Sequence, residues 1–152
     1  MSTGPQASSP SPPIQILLVD DNPVDVAFTC AALKHARLAN ELSVACDGVD
    51  ALARMRAEPP YEHTPQPHML LLDLDMPKMD GQTVLREMRG DERLRKLPVV
   101  VLTSAVELRD ELMREDVSHE ARFILKPLKF DEFIRAIATF DVFGLRFRRV
   151  GS

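Results

Sequence analysis

The chain has 152 residues, 45% of them hydrophobic and 28% charged, with a net charge of −4. A domain of this length buries roughly 70% of its unfolded surface. The acidic balance excludes a basic field suited to nucleic acid or an anionic membrane, and no apolar run approaches the roughly 20 residues of a spanning helix.

Met1–Pro13 is Ser-, Pro- and Gln-rich, with neither an apolar core nor a signal pattern, and reads as a disordered tail. Ile14–Val19 is a first strand ending in Asp20-Asp21. Asn22 suits a helix N-cap and Pro23 the first helical position. Val24, Ala27, Phe28, Ala31, Ala32 and Leu33 then recur at three- and four-residue steps, which predicts an amphipathic helix to about Ala39. Glu41–Cys46 is a second strand, Asp47-Gly48 a turn, and Val49–Ala57 a second helix with Leu52, Met55, Ala51 and Ala53 inward. Cys30 and Cys46 both fall in apolar patterns and read as reduced core residues of a cytoplasmic protein. Glu58–Pro67 is polar and Pro-rich. It is long for a link inside a compact domain, so it is either an interaction loop or a tolerated insertion.

Met69–Asp73 carries four apolar residues into a carboxylate, between Pro67 and Pro77. Such a run reads as a strand buried on both faces. Gly81–Arg89 is a third helix and Leu97–Leu102 a fourth strand ending in Thr103-Ser104. Glu107–Asp116 is a fourth helix. Arg122–Leu125 is a fifth strand ending in Lys126-Pro127, and Phe130–Thr139 a fifth helix with Phe130, Phe133, Ile134, Ile137 and Ala138 on one face. Five strand-then-helix units with non-alternating strands imply an α/β fold: a doubly wound, five-stranded parallel sheet of order 2-1-3-4-5, covered on both faces.

In that order the strand ends converge on one crevice, where open α/β sheets bind ligands. They supply Asp20 and Asp21, then Asp73 and Asp75, then Thr103 and Ser104, then Lys126. Carboxylates so close cannot all stay ionised without a cation. A hard divalent ion such as Mg²⁺ suits oxygen ligands and completes its shell with waters and phosphate oxygens. A lysine and a hydroxyl opposite would take further phosphoryl oxygens. Alone, each signal has a bland reading as a capping turn or a solvated loop lysine; four at four strand ends make phosphoryl transfer to a carboxylate the expected chemistry.

These residues, with Asp73 followed by Asp75-Met76-Pro77-Lys78-Met79-Asp80-Gly81, resemble the receiver domain of two-component response regulators over about Ile14 to Phe140. Asp21-Asn22-Pro23 and the long connection before strand three resemble single-domain regulators that partner bacterial phytochromes. The resemblance implies a flavodoxin-like receiver fold with five helices and Asp73 as phosphoacceptor. It implies Mg²⁺ held by Asp21 and Asp73, by Asp20 through water, and by the Asp75 carbonyl. Thr103 corresponds to the switch hydroxyl, Lys126 to the lysine on a phosphoryl oxygen, Phe123 to the aromatic rotamer switch, and Ser104 to a small residue leaving phosphoryl access open. The peptide before Pro127 is a candidate cis bond. The implied partner is a sensor histidine kinase, a bacterial phytochrome in particular. Such a chain is not an enzyme on external substrates; it assists its own phosphorylation and dephosphorylation.

The expected organisation is a tail over 1–13, a receiver over 14–140 and an extension over 141–152. The extension, with Val142, Phe143, Leu145, Phe147 and Val150, is too apolar for an idle tail. It either folds back on its own domain or, as favoured, acts as an arm completing a homodimer through the helix 4 to helix 5 face. With no output domain following, output is expected through protein contacts or phosphate relay. The alternatives are a phosphorylation-independent interaction module and a metal-dependent phosphohydrolase.

Overall fold

The computed structural model describes residues 13–35, 39–76, 80–115 and 121–140. The tail expected before Pro13, the turn at Pro77 and the arm after Phe140 lie outside them. The elements are β1 (Ile14–Val19), α1 (Pro23–Lys34), β2 (Asn40–Ala45), α2 (Gly48–Met55), β3 (Met69–Asp73), α3 (Asp80–Arg89), β4 (Val99–Thr103), α4 (Val106–Glu115), β5 (Ala121–Leu125) and α5 (Phe130–Ala138). The strands form one parallel sheet in the order β2-β1-β3-β4-β5.

Every residue of β3 and β4 is buried, and the two-residue strand period deals alternate side chains to opposite faces. Leu17, Val19, Leu70, Leu72, Val99 and Val101 pack with Ala51 and Met55 of α2, Val84 and Met88 of α3, and Leu112 of α4. Ile16, Leu18, Met69, Leu71, Val100 and Leu102 pack with Leu33 of α1 and Phe133 and Ile137 of α5. Three helices therefore cover one face and two the other. By the same period Asp20 follows Leu18, Asp73 follows Leu71 and Lys126 follows Ile124, so all three belong to the side covered by α1 and α5.

Four local readings are corrected. The fourth strand starts at Val99 rather than Leu97, because Pro98 has no N–H for the ladder; its carbonyl still accepts from Leu70 N at 2.9 Å. The first helix ends at Lys34, not Ala39, with the His35 N–H donating back to Leu33 O. Its inward face carries Thr29 and Leu33, while Val24, Ala27, Phe28 and Ala31 are exposed. Val26 packs against the same core as Leu33, which leaves Val24 and Phe28 facing out. Cys46 is exposed and Cys30 half-buried, since β2 ends at Ala45 and Cys46 enters the bend before α2.

The long connection is strapped to α2. Tyr61 donates its hydroxyl to Asp50, Arg54 lies 4.6 Å above the Tyr61 ring, and Gln66 Nε2 donates to Arg54 O at 3.3 Å. The Pro59–Pro60 and Lys126–Pro127 peptides are both cis, the latter as the resemblance implied. Gly81, at the start of α3, presses on β3: a Cβ there would lie 2.8 Å from Asp73 O and 2.7 Å from Leu74 Cδ2. Only glycine allows α3 to begin so close to the backbone of Asp73.

Candidate functional site

Backbone hydrogen bonds continue past the strand ends and hold the site residues in place. Asp20 N donates to Ala45 O at 3.1 Å, Leu74 N to Leu102 O at 2.8 Å, and Lys126 N to Thr103 O at 2.9 Å. Asp20 and Asp73 are each only 2% exposed, and Thr103 is fully buried. Asp21, Asn22, Asp25, Asp73, Asp75, Ser104 and Lys126 line an open cleft of about 740 Å³. Next to it lies a more apolar cavity of about 350 Å³ between Val24, Phe28, Thr29, Leu102 and Leu128.

Lys126 is the hub. Its Nζ lies 2.9 Å from Asp73 Oδ1, 3.0 Å from Asp25 Oδ2 and 3.4 Å from Asp75 Oδ2. Asp73 Oδ1 also accepts from Asp75 N at 2.9 Å. The Asp75 carboxylate accepts from Thr103 Oγ1 at 2.9 Å and from Ser104 N at 3.0 Å. Thr103 Oγ1 in turn accepts from Ala105 N at 3.1 Å, which fixes the hydroxyl at the entry to α4. The ammonium, the hydroxyl and the Ser104 N–H thus converge on one carboxylate, and an incoming anion would need those same donors.

Burial pushes Asp20 up from 3.8 to about 6, only partly opposed by the hydrogen bond from Asn22 N; the charge of Asp73 beside it pushes further. Burial also raises Asp75, but the hydrogen bonds from Thr103 and Ser104 and the Lys126 charge outweigh it and hold that carboxyl below its usual range. Desolvation lowers Lys126, and the hydrogen bonds to Asp73 and Asp25 more than reverse this, so its ammonium is held charged.

Of the residues expected from the sequence, Asp20, Asp21, Asp73, Asp75, Thr103, Ser104 and Lys126 come together at this edge. Phe123 does not line the cleft. It is half-buried against the core under α2, α3 and α4. The side chain of Asp75, for which the sequence suggested no partner, holds Thr103. Sequence reasoning missed Asp25. The available signal was its place one helical turn beyond Asp21, on a helix whose N-cap, Asn22, accepts from Val24 N and Asp25 N.

The donor set fits a hard divalent cation. Asp20, Asp25 and Asp73 each offer a carboxylate oxygen, and these oxygens lie within 4.8 Å of one another. All are oxygen ligands of the kind Mg²⁺ and Mn²⁺ take. Asp21 is outside this trio; it is exposed and opens onto the cleft.

A pH-dependent effect follows for the metal-free protein. Asp20 ionises near 3.8 when unfolded and near 6 in the fold. Its contribution to stability is therefore fully present below about pH 4 and lost as the pH rises through 6. Asp20→Asn cannot ionise. Urea unfolding in chelator should show the variant gaining on wild type as the pH rises, by about 3 kcal/mol above about pH 7. A gap that does not widen across that range would contradict the assignment.

Residues 16–138 match the family described as the response regulator receiver domain. The response regulator Rcp1 of Synechocystis sp. is 32% identical over 89% of this chain and 91% of its own length. The bacteriophytochrome response regulator AtBRR has a solved structure with a TM-score of 0.76, 40% identity, and coverage of 88% of this chain and 96% of that one. The Mn²⁺-bound form of Rcp1 gives a TM-score of 0.68 at 32% identity over 88% of this chain and 95% of that one.

Proposed function

The chain belongs to the response regulator receiver family of two-component signalling, and from that premise we propose that it is phosphorylated on Asp73 by a sensor histidine kinase in the presence of Mg²⁺. The observation that carries the proposal is the convergence of Lys126 and Asp75 N on Asp73 Oδ1, at 2.9 Å each, inside an acidic cleft. Two donors on one oxygen orient the carboxylate as a nucleophile within a buried strand end. A carboxylate oxygen of Asp73 attacks the phosphorus of a phosphohistidine. The P–N bond breaks, and the imidazole leaves with the electron pair and takes up a proton.

Asp21 and Asp73, with the carbonyl of Asp75 and with Asp20 through water, would hold the metal. Bound there, Mg²⁺ offsets the charge of the transferred group. Lys126 turns from its carboxylates to a phosphoryl oxygen. Thr103 and Ser104 N, which now serve the Asp75 carboxylate, are placed to serve the phosphoryl group instead. Thr103 and Phe123 then carry the change to the α4 and β5 face as a population shift. The likeness to AtBRR, a bacteriophytochrome response regulator, supports a bacterial phytochrome as the kinase, with the receiver over residues 14–140 as the acting unit and output through protein contacts or phosphate relay.

The test is phosphotransfer. Autophosphorylated bacterial phytochrome kinases carrying labelled phosphate should lose label to this chain when Mg²⁺ is present and keep it in chelator. Label that stays on every kinase tried, with none taken from acetyl phosphate, would sink the proposal.

A further inference from the structure

We propose that Asp25 is a positioning residue for phosphoryl transfer: it is the resting counter-ion that Lys126 gives up when a phosphoryl group reaches Asp73. The inference rests on the phosphoacceptor reading above. Asp25 lies in the first turn of α1, and its Oδ2 accepts from Lys126 Nζ at 3.0 Å across 101 positions of chain. An ammonium has three donors. Asp73 and Asp25 take two of them at 2.9 and 3.0 Å, and Asp75 stands at 3.4 Å, so a phosphoryl oxygen competes with these carboxylates for Lys126.

The three carboxylates are not equivalent. Asp73 is the reacting group. Asp75 is held in place by Thr103 and Ser104 as well. Among the described residues, the Asp25 carboxylate receives its hydrogen bond from Lys126 alone, and its side chain is 41% exposed. Water can replace the ammonium there at little cost. Asp25 is therefore the partner released. Until release, it keeps Lys126 drawn partly toward α1 and adds one more negative charge at the mouth that a doubly charged donor must enter.

Acetyl phosphate separates this effect from kinase docking. In that reaction an Asp73 oxygen forms the new bond to phosphorus, the P–O bond to acetate breaks, and acetate leaves with the electron pair. The full-length chain with saturating Mg²⁺ should form acyl phosphate about three- to tenfold faster as Asp25→Asn than as wild type, because one screened unit charge and one competitor for Lys126 are gone. Asp25→Glu keeps the charge and should stay near the wild-type rate, a distinction that a purely structural role would not make. An Asp25→Asn rate equal to or below wild type overturns the proposal, as does Asp25→Glu matching Asp25→Asn. If Asp25→Asn is fast and wild type is labelled, both readings stand; a wild type that takes no label overturns the phosphoacceptor reading and this inference with it.

Discussion

Asp73→Asn should take no phosphoryl label from kinase or acetyl phosphate, a loss of roughly a hundredfold or more, while remaining folded. The amide has the size of the carboxylate and keeps an oxygen that can accept from Asp75 N and Lys126 Nζ, both 2.9 Å away in the native site. What it lacks is the anionic oxygen that forms the bond to phosphorus. The substitution also removes the charge that helps push Asp20 up to about 6. In chelator at neutral pH the variant should therefore be at least as stable as wild type in urea. A labelled Asp73→Asn, or one that unfolds before wild type, would contradict this role.

Lys126→Met should lose stability as well as labelling. Methionine keeps much of the apolar stem but leaves Asp25, Asp73 and Asp75 without the ammonium that lies within 3.4 Å of all three. Asp73 is buried, so removing its cation should cost about 3 kcal/mol in the metal-free protein. Labelling should fall about a hundredfold even at saturating Mg²⁺, since a positioned charge on the transferred group is lost. Added Mg²⁺ should recover part of the stability and little of the rate. Stability and labelling restored together by Mg²⁺ would mean that Lys126 acts only as a counter-ion and does not touch the phosphoryl group.

The frame was legible because its signals are redundant. Continuous apolar runs in β3 and β4 can be satisfied only between two helical layers, and the two-residue period then dictates which side Asp20, Asp73 and Lys126 occupy. Polar residues at four strand ends converge for the same topological reason. Partnerships made by rotation of a helix were not legible. Asp25 reaches Lys126 only because α1 turns Thr29 and Leu33 inward, and a periodicity that favoured Val24 and Phe28 pointed elsewhere. The bond from Thr103 to Asp75 was hidden too, because it joins side chains 28 positions apart on neighbouring strand ends, and a short polar residue after a strand carries no mark of which neighbour it will meet. Cys46 was misplaced by one residue of strand length, enough to move it from core to surface.

The central claim is that one carboxylate, that of Asp73, carries the phosphoryl group. Borohydride cleaves an aspartyl phosphate by reducing its acyl carbon to an alcohol, leaving homoserine at the phosphorylated position. After phosphorylation and reduction, peptide mass spectrometry should find homoserine at position 73 and at no other aspartate. Homoserine at position 20, 21, 25 or 75, or phosphate retained on a histidine, would contradict the account.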